Sequence, residues 1–179
     1  ARLVIDDHQK NCDRNFADVC RSLYYNKDQE GNPCPIISDE LFENSKHFNK
    51  ELSEIIDHGR DYLIDYFGYK TLERSYLLKV NKKSVETPQH MWLRVSLGIH
   101  GGIKDPIEMI KKTKETYDLM SKKYFTHATP TLFNSGTPRP QFASCFDEDT
   151  LVDTMDGTKK IKNIKIGDKV VTHLGNIKK

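Results

Sequence analysis

Between Tyr124 and Val152 the chain reads YFTHATPTLFNSGTPRPQFASCFDEDTLV, and the residues best able to do chemistry gather there. Cys145 supplies a thiol, which as thiolate is a nucleophile and a redox group. Thr129 and Ser144 supply hydroxyls that can hold ligand oxygens without adding charge. By residue type alone, such hydroxyls also cap local backbone in turns and strands. The other cysteines, Cys12, Cys20 and Cys34, show no Cys-x-x-Cys spacing. Cys12 and Cys20, eight apart on a helix-like pattern, read as small buried hydrophobes rather than metal ligands or a disulfide. His90, His100 and His127 lie far apart with no His-x-x-x-His or carboxylate spacing, which points to hydrogen-bonded structural histidines and no metal site.

The elements that must position these groups are mostly helical before residue 144. Cys12, Phe16, Val19, Cys20 and Leu23 repeat at helical spacing within a segment from about Ala1 to Lys27. Gly31 to Pro35 is a turn, and Ser38-Asp39-Glu40 is an N-cap for a helix through Leu41 and Phe42. A further helix over Lys50–His58 carries Leu52, Ile55 and Ile56 on one face. Arg60–Phe67 reads as a packed helix end that Gly68 stops or bends, and Thr71–Val80 as helical or extended, closed by a turn at Asn81-Lys82-Lys83. Pro88 suits a first helical turn before Gln89–His100, whose Met91, Val95, Leu97 and Ile99 are expected on mostly buried faces. The Gly98–Gly102 cluster lacks the lysine of a phosphate loop and reads as a helix stop. Asp105-Pro106 opens the next helix, marked by Ile107, Ile110, Tyr117, Met120 and Tyr124.

Thr129–Asn134 has β-favouring residues around a proline and is followed by turn chemistry in Ser135–Pro140. Gln141–Phe146 alternates like the start of a buried strand, yet Asp147-Glu148-Asp149 then places acids where such a strand needs apolar residues. The chain therefore changes character at Ser144–Cys145. Residues 145–179 carry short Ile/Val strands with turns at Gly157, Gly167 and Gly175.

Composition bounds the function classes. With 28 basic and 26 acidic residues the net charge is +2, so nothing calls for a polyanionic partner. The aromatic cluster near Arg60, Lys70 and Arg74 reads as packing beside a solvated face, not a nucleic-acid surface. Mean hydropathy is −0.68 and no apolar run approaches the roughly 18–20 residues of a membrane span. Cysteine usage fits a reducing, cytoplasmic setting. Ala1 is not a start methionine, and the expectation is a chain cut upstream.

HATPTLFNSGTPRPQFASCF, FGYKTLERSYLLK (Phe67–Lys79) and TPQHMWLRVSLGIH (Thr87–His100) together resemble the large, catalytic subunit of class I ribonucleotide reductase. The resemblance implies a mainly α fold over 1–144, entering a ten-stranded α/β barrel at the Ser-Cys-Phe strand. It implies that residues 1–10 are a remnant of the ATP-cone and that residues 11–144 are the helical domain and first barrel strand. Thr129 and Ser144 match substrate-contacting positions for a ribonucleoside diphosphate. The implied partners are the radical-bearing small subunit and a second large subunit, with ATP and dATP as effectors; no cofactor is assigned to this chain. The loop from His100 to about Lys114 is a few residues longer than in close relatives.

CFDEDTLVDTMDGTKKIKNIKIGDKVVTHLGN (Cys145–Asn176) resembles the opening block of an intein, with Cys145, Thr150-Leu151-Val152, Asp156-Gly157 and Ile161 through Val170 as its matching pieces. Residues 145–179 would then begin an all-β Hint fold. Under this resemblance Cys145 is the splicing nucleophile; in an uninterrupted reductase it is a redox thiol. A downstream Thr-x-x-His and terminal His-Asn are absent, which points to a truncated precursor, with a naturally split intein as the alternative. A third reading is a helical interaction module without chemistry, for which the Ser144–Cys145 seam has no function.

Overall fold

The computed structural model describes residues 1–143, 147–171 and 177–178, with side chains placed through residue 171 outside 144–146. The chain divides into two compact units, Ala1–Ala143 and Ser144–Lys179.

The first unit is built around α6 (Pro88–His100), in which every residue from Pro88 to Leu97 is buried. Thr87 caps it: the Thr87 hydroxyl accepts from the His90 backbone N–H, and the His90 ring accepts from the Thr87 backbone N–H. A helix buried all round must satisfy its polar residues internally. Gln89 accepts from the Tyr117 hydroxyl at 2.7 Å and donates to Asp61 at 3.0 Å. Arg94 donates to Glu86 at 2.6 Å, and the Ser96 hydroxyl returns to the Trp92 carbonyl.

Around it pack α1 (Arg2–Lys10), α2 (Phe16–Tyr24), α3 (Asp39–His47), α4 (Asn49–Ile55), a 3₁₀ turn at His58–Leu63, α5 (Tyr66–Ser75), α7 (Pro106–Ser121) and α8 (Thr129–Asn134). Their start signals are local. Asn15 accepts from the backbones of Ala17 and Asp18, Ser38 from Leu41, Asp65 from Gly68, and Asp105 from Ile107 ahead of Pro106. The buried faces converge on Phe16, Val19, Leu23, Leu41, Leu52, Leu93, Leu97 and Tyr117. Strands β1 (Lys79–Val80) and β2 (Lys83–Ser84) form a hairpin whose turn residues, Asn81 and Lys82, have φ of 50° and 65°. Left-handed backbone at both central residues matches a hairpin's twist.

Several expectations are corrected. The segment from Ala1 to Lys27 is two helices, because Asn15 starts a new one; Cys12 lies in the break, half-buried, while Cys20 is buried. Gly68 does not stop a helix but sits in the first turn of α5, where a Cβ would crowd Asp65 and Ile64. Tyr62, Tyr66 and Phe67 are exposed rather than packed. Ile99 is partly exposed rather than buried, while α6 ends at His100 with Gly101 as its C-cap, inside the expected glycine stop. Thr129–Asn134 is helical despite its β-favouring residues, since Pro130 suits a first turn and tertiary hydrogen bonds hold its carbonyls. Gln141–Ala143 is not a strand: these residues are exposed and no strand pairs with them among the described residues. The rest of that expected strand, Ser144–Phe146, lies outside the described residues.

In the second unit β3 (Leu151–Thr154) pairs antiparallel with β4 (Gly157–Lys160). The connecting turn relies on Gly157 at φ 107°, a conformation open to glycine. β5 (Val170–Val171) pairs with β3, and β6 (Ile177–Lys178) with β5, giving the order β4-β3-β5-β6. Ile161–Asn163, within the expected short Ile/Val strands, is a 3₁₀ turn, and the expected turn at Gly167 follows it with φ 103°. Leu151, Met155 and Ile166 are exposed, and no hydrophobic residue is buried among the described residues of this unit. The Gly175 turn falls outside the described residues.

Candidate functional site

Of the candidate residues, the structure places Thr129; Ser144 and Cys145 lie outside the described residues. Thr129 starts α8 and lines a cleft of about 650 Å³ between α5, the end of α7 and α8. Its hydroxyl lies 3.1 Å from the Tyr76 hydroxyl. Tyr76 in turn stacks on Phe133, with ring centroids 4.9 Å apart and planes within 1°.

The cleft has apolar walls, including Leu72, Trp92 and Leu132, with a few polar groups at one side. That combination suits a small organic ligand whose orientation is set by a few hydrogen bonds. His127 is one of those groups. Its Nε2 is buried without a hydrogen-bond partner among the described residues, and burial holds its pKa below the ordinary histidine value. Lys123 follows α7 in left-handed backbone at φ 66°, and its ammonium donates to the Leu63 carbonyl at 3.2 Å. This conformation normally favours glycine after a helix, so the turn that aims Tyr124–Ala128 along the cleft is held by its surroundings.

The α8 segment is held to α6 by a dense set of contacts. Arg94, fully buried, is paired with Glu86 and donates to the carbonyls of Leu132 (3.3 Å) and Ser135 (2.9 Å). The Ser135 hydroxyl donates to the Val95 carbonyl at 2.9 Å, and the Ser38 N–H to the Gly136 carbonyl at 2.9 Å. Gly98 permits this approach, since a Cβ there would collide with the Gly136 backbone and come within 2.5 Å of the Ser135 hydroxyl. Gly136 has φ 78°, the left-handed region that favours glycine.

The remaining titratable residues are structural in their surroundings. His90 bonds Thr87 and the Arg14 carbonyl, and burial pushes its pKa down to about 3. His100 bonds the Thr116 hydroxyl at 2.8 Å. Burial raises the Cys20 thiol to about 12 and the Cys12 thiol to about 11, the opposite of an activated thiolate. Among the described residues no group of three or more His, Cys, Asp or Glu could hold a metal ion. No helix among them is long and apolar enough to cross a membrane. Tyr76 and the buried, unpartnered Nε2 of His127 were not foreseen from sequence. Tyr76 reaches Thr129 across 53 residues, and no local pattern signals such a pairing.

The chain is similar to known proteins. Residues 62–140 match the family model "Ribonucleotide reductase, all-alpha domain". The chain is 50% identical over 157 residues to the ribonucleoside-diphosphate reductase large subunit of Plasmodium falciparum (isolate Dd2), covering 88% of this chain and 19% of the relative. It is 46% identical over 168 residues to the large chain from Cryptosporidium parvum (92% and 20%). It is 47% identical over 147 residues to the large subunit from Arabidopsis thaliana (82% and 17%). The chain thus spans about a fifth of the length of the curated relatives it matches. Residues 62–140, which carry Thr129, are thus similar to the all-alpha domain of ribonucleotide reductase, and the chain over most of its length is similar to part of the reductase large subunits.

Proposed function

We propose that residues 11–144 are the helical domain that leads into the barrel of a catalytic subunit that reduces ribonucleoside diphosphates, with residues 1–10 a remnant of the ATP-cone. Thr129 and Ser144 hold the substrate in the complete enzyme. The small subunit, a second large subunit and the effectors ATP and dATP act on parts of the enzyme outside this chain, and the setting is cytoplasmic. The observation that carries the reading is the Thr129 hydroxyl, which lines an apolar cleft and is bonded by Tyr76, in a segment that matches the reductase family. The test is Thr129→Val in the full-length enzyme, which keeps volume and removes one hydrogen-bonding group. Losing a hydrogen bond to substrate costs about 1–2 kcal/mol, so kcat/KM falls; unchanged kinetics would remove the assignment.

Residues 145–179 are the opening segment of a self-splicing intein, with Cys145 as its first residue. The change of sequence character at the Ser144–Cys145 bond and the glycine turns that follow support this. In the first step the Cys145 thiolate attacks the Ser144 carbonyl carbon. A C–S bond forms, the peptide C–N bond breaks, and the freed Cys145 amine takes up the proton. A second reading has reductase sequence continuing through Cys145 as a redox thiol. The P. falciparum and C. parvum matches favour it, because each covers more of this chain than precedes Cys145 and so includes residues beyond it. With the downstream coding sequence restored, splicing chemistry makes the Ser144–Cys145 bond cleavable by hydroxylamine, yields a new C-terminus at Ser144 by mass spectrometry, and is abolished by Cys145→Ala. An intact bond in the completed wild type returns Cys145 to the reductase.

A further inference from the structure

One buried carboxylate, that of Glu86, grips both segments that carry the hydroxyl pair of the Thr129 cleft. The side chains of Glu86 and Arg94 have no solvent-exposed surface. Glu86 Oε1 accepts from Arg94 Nε at 2.6 Å. Glu86 Oε2 accepts from Arg94 Nη2 at 3.2 Å and from the Leu78 backbone N–H at 3.0 Å. Through Nη1 the same guanidinium reaches the carbonyls of Leu132 and Ser135, at the end of α8.

Leu78 lies just beyond Tyr76, where the chain leaves α5 for the β1–β2 hairpin. Its carbonyl accepts from the Val85 N–H at 3.1 Å, so with Glu86 on its N–H both of its backbone polar groups are held. Tyr76 in turn meets the Thr129 hydroxyl and stacks on Phe133, both in α8. The distance across the hydroxyl pair is therefore set from two sides by Glu86: at Leu78 directly, and at α8 through Arg94. A buried ion pair often adds no net stability over apolar residues of the same volume. What it adds is direction, because a planar guanidinium meets a planar carboxylate in one register.

We propose that Glu86 is a positioning residue for substrate, fixing the Tyr76 and Thr129 segments so that the Thr129 hydroxyl is aimed at the ribonucleoside diphosphate. This rests on the reading of Thr129 as a substrate contact. A group that orients substrate loses much of its effect when displaced by about 1 Å, and Glu86 is the residue that prevents such a displacement.

The test is the kinetics of Glu86→Asp in the full-length enzyme. Aspartate keeps the charge but withdraws the carboxylate, so it cannot hold Leu78 and Arg94 together. A fall in kcat/KM of roughly threefold to tenfold is expected, on the scale of one hydrogen bond. Its division between KM and kcat is expected to follow that of Thr129→Val, and it is expected to vanish when Thr129 is already Val. A role in stability alone predicts the same fall in both backgrounds, and that result would overturn the proposal. Glu86→Gln combined with Arg94→Met leaves no buried charge unpaired. It is expected to fold and to stay impaired, because the bonds to Leu132 and Ser135 are gone; wild-type kcat/KM in this variant would also overturn the proposal. NMR of the 179-residue chain separates the proposal from the reading beneath it. In Glu86→Asp the Tyr76 ring and Thr129 methyl signals are expected to move, while the methyls of Leu52 and Ile55 in α4 do not. Unchanged kinetics in Thr129→Val overturn the substrate reading of Thr129, whereas unmoved Tyr76 and Thr129 signals overturn the role of Glu86.

Discussion

The Tyr76 hydroxyl and the Thr129 hydroxyl stand 3.1 Å apart, joining the end of α5 to the start of α8 at the cleft wall. A hydroxyl pair of this kind restricts which way each O–H points, so Tyr76 sets how Thr129 presents itself to a ligand. Tyr76→Phe keeps the stack on Phe133 and removes the bond. In the full-length enzyme it is expected to lower kcat/KM by roughly threefold to tenfold, matching a hydrogen bond worth about 0.5–1.5 kcal/mol. The effect should disappear when Thr129 is already Val. Additive effects in the double variant would separate the two residues.

The Arg94–Glu86 pair sets the position of α8. Arg94→Met fills similar volume but leaves the Glu86 carboxylate buried and unpaired, and frees the carbonyls of Leu132 and Ser135. Removing one partner of a buried ion pair costs about 3–5 kcal/mol. Urea denaturation should report a loss of that size, and Arg94→Met with Glu86→Gln should recover part of it. A loss below about 1 kcal/mol, the range of exposed pairs, would show that the pair is not buried as described.

Gly98→Ala tests the close approach of α6 and the Ser135–Gly136 turn. In an open helix this change gains up to about 1 kcal/mol. Here the added methyl meets the Gly136 backbone, and overpacking costs about 1–3 kcal/mol. A lower Tm is expected, and a raised Tm would contradict the contact.

Two buried groups give stability opposite dependences on pH. Burial lowers His90 to about 3, so its neutral, stabilising form is retained above its unfolded value of about 6.5, and its contribution is lost as pH falls toward 3. Burial raises Asp61 to about 6 despite hydrogen bonds from Gln9 and Gln89, so its contribution is complete below its unfolded value of 3.8 and is lost as pH rises through 6. His90→Gln preserves the capping box and removes the first effect. Relative to the wild type, its stability should fall as pH rises from 4 to 6, while Asp61→Asn should lose stability as pH drops below 6.5. Each slope is at most about 1.4 kcal/mol per pH unit, measured by urea denaturation across the pH series. Parallel curves for all three proteins would rule out both assignments.

The helix starts were legible because their signals are local. Ser38, Asp105-Pro106 and Pro88 act on backbone groups within one turn, and each begins a helix where the sequence indicates. The likeness to ribonucleotide reductase was legible from three long motifs, and the similarity to reductase large subunits runs over most of the chain. Thr129 could be named from its motif, but its cleft could not. Local propensity made Thr129–Asn134 extended, whereas hydrogen bonds from Arg94 to carbonyls 38 and 41 residues away accompany a helix there. The same limit applies to Tyr76 beside Thr129, to the unpartnered Nε2 of His127 and to Gly98 against Gly136. A sequence displays its short-range preferences directly. Which distant residues come within hydrogen-bonding reach, and which buried polar atoms are left without partners, is decided only when the chain packs.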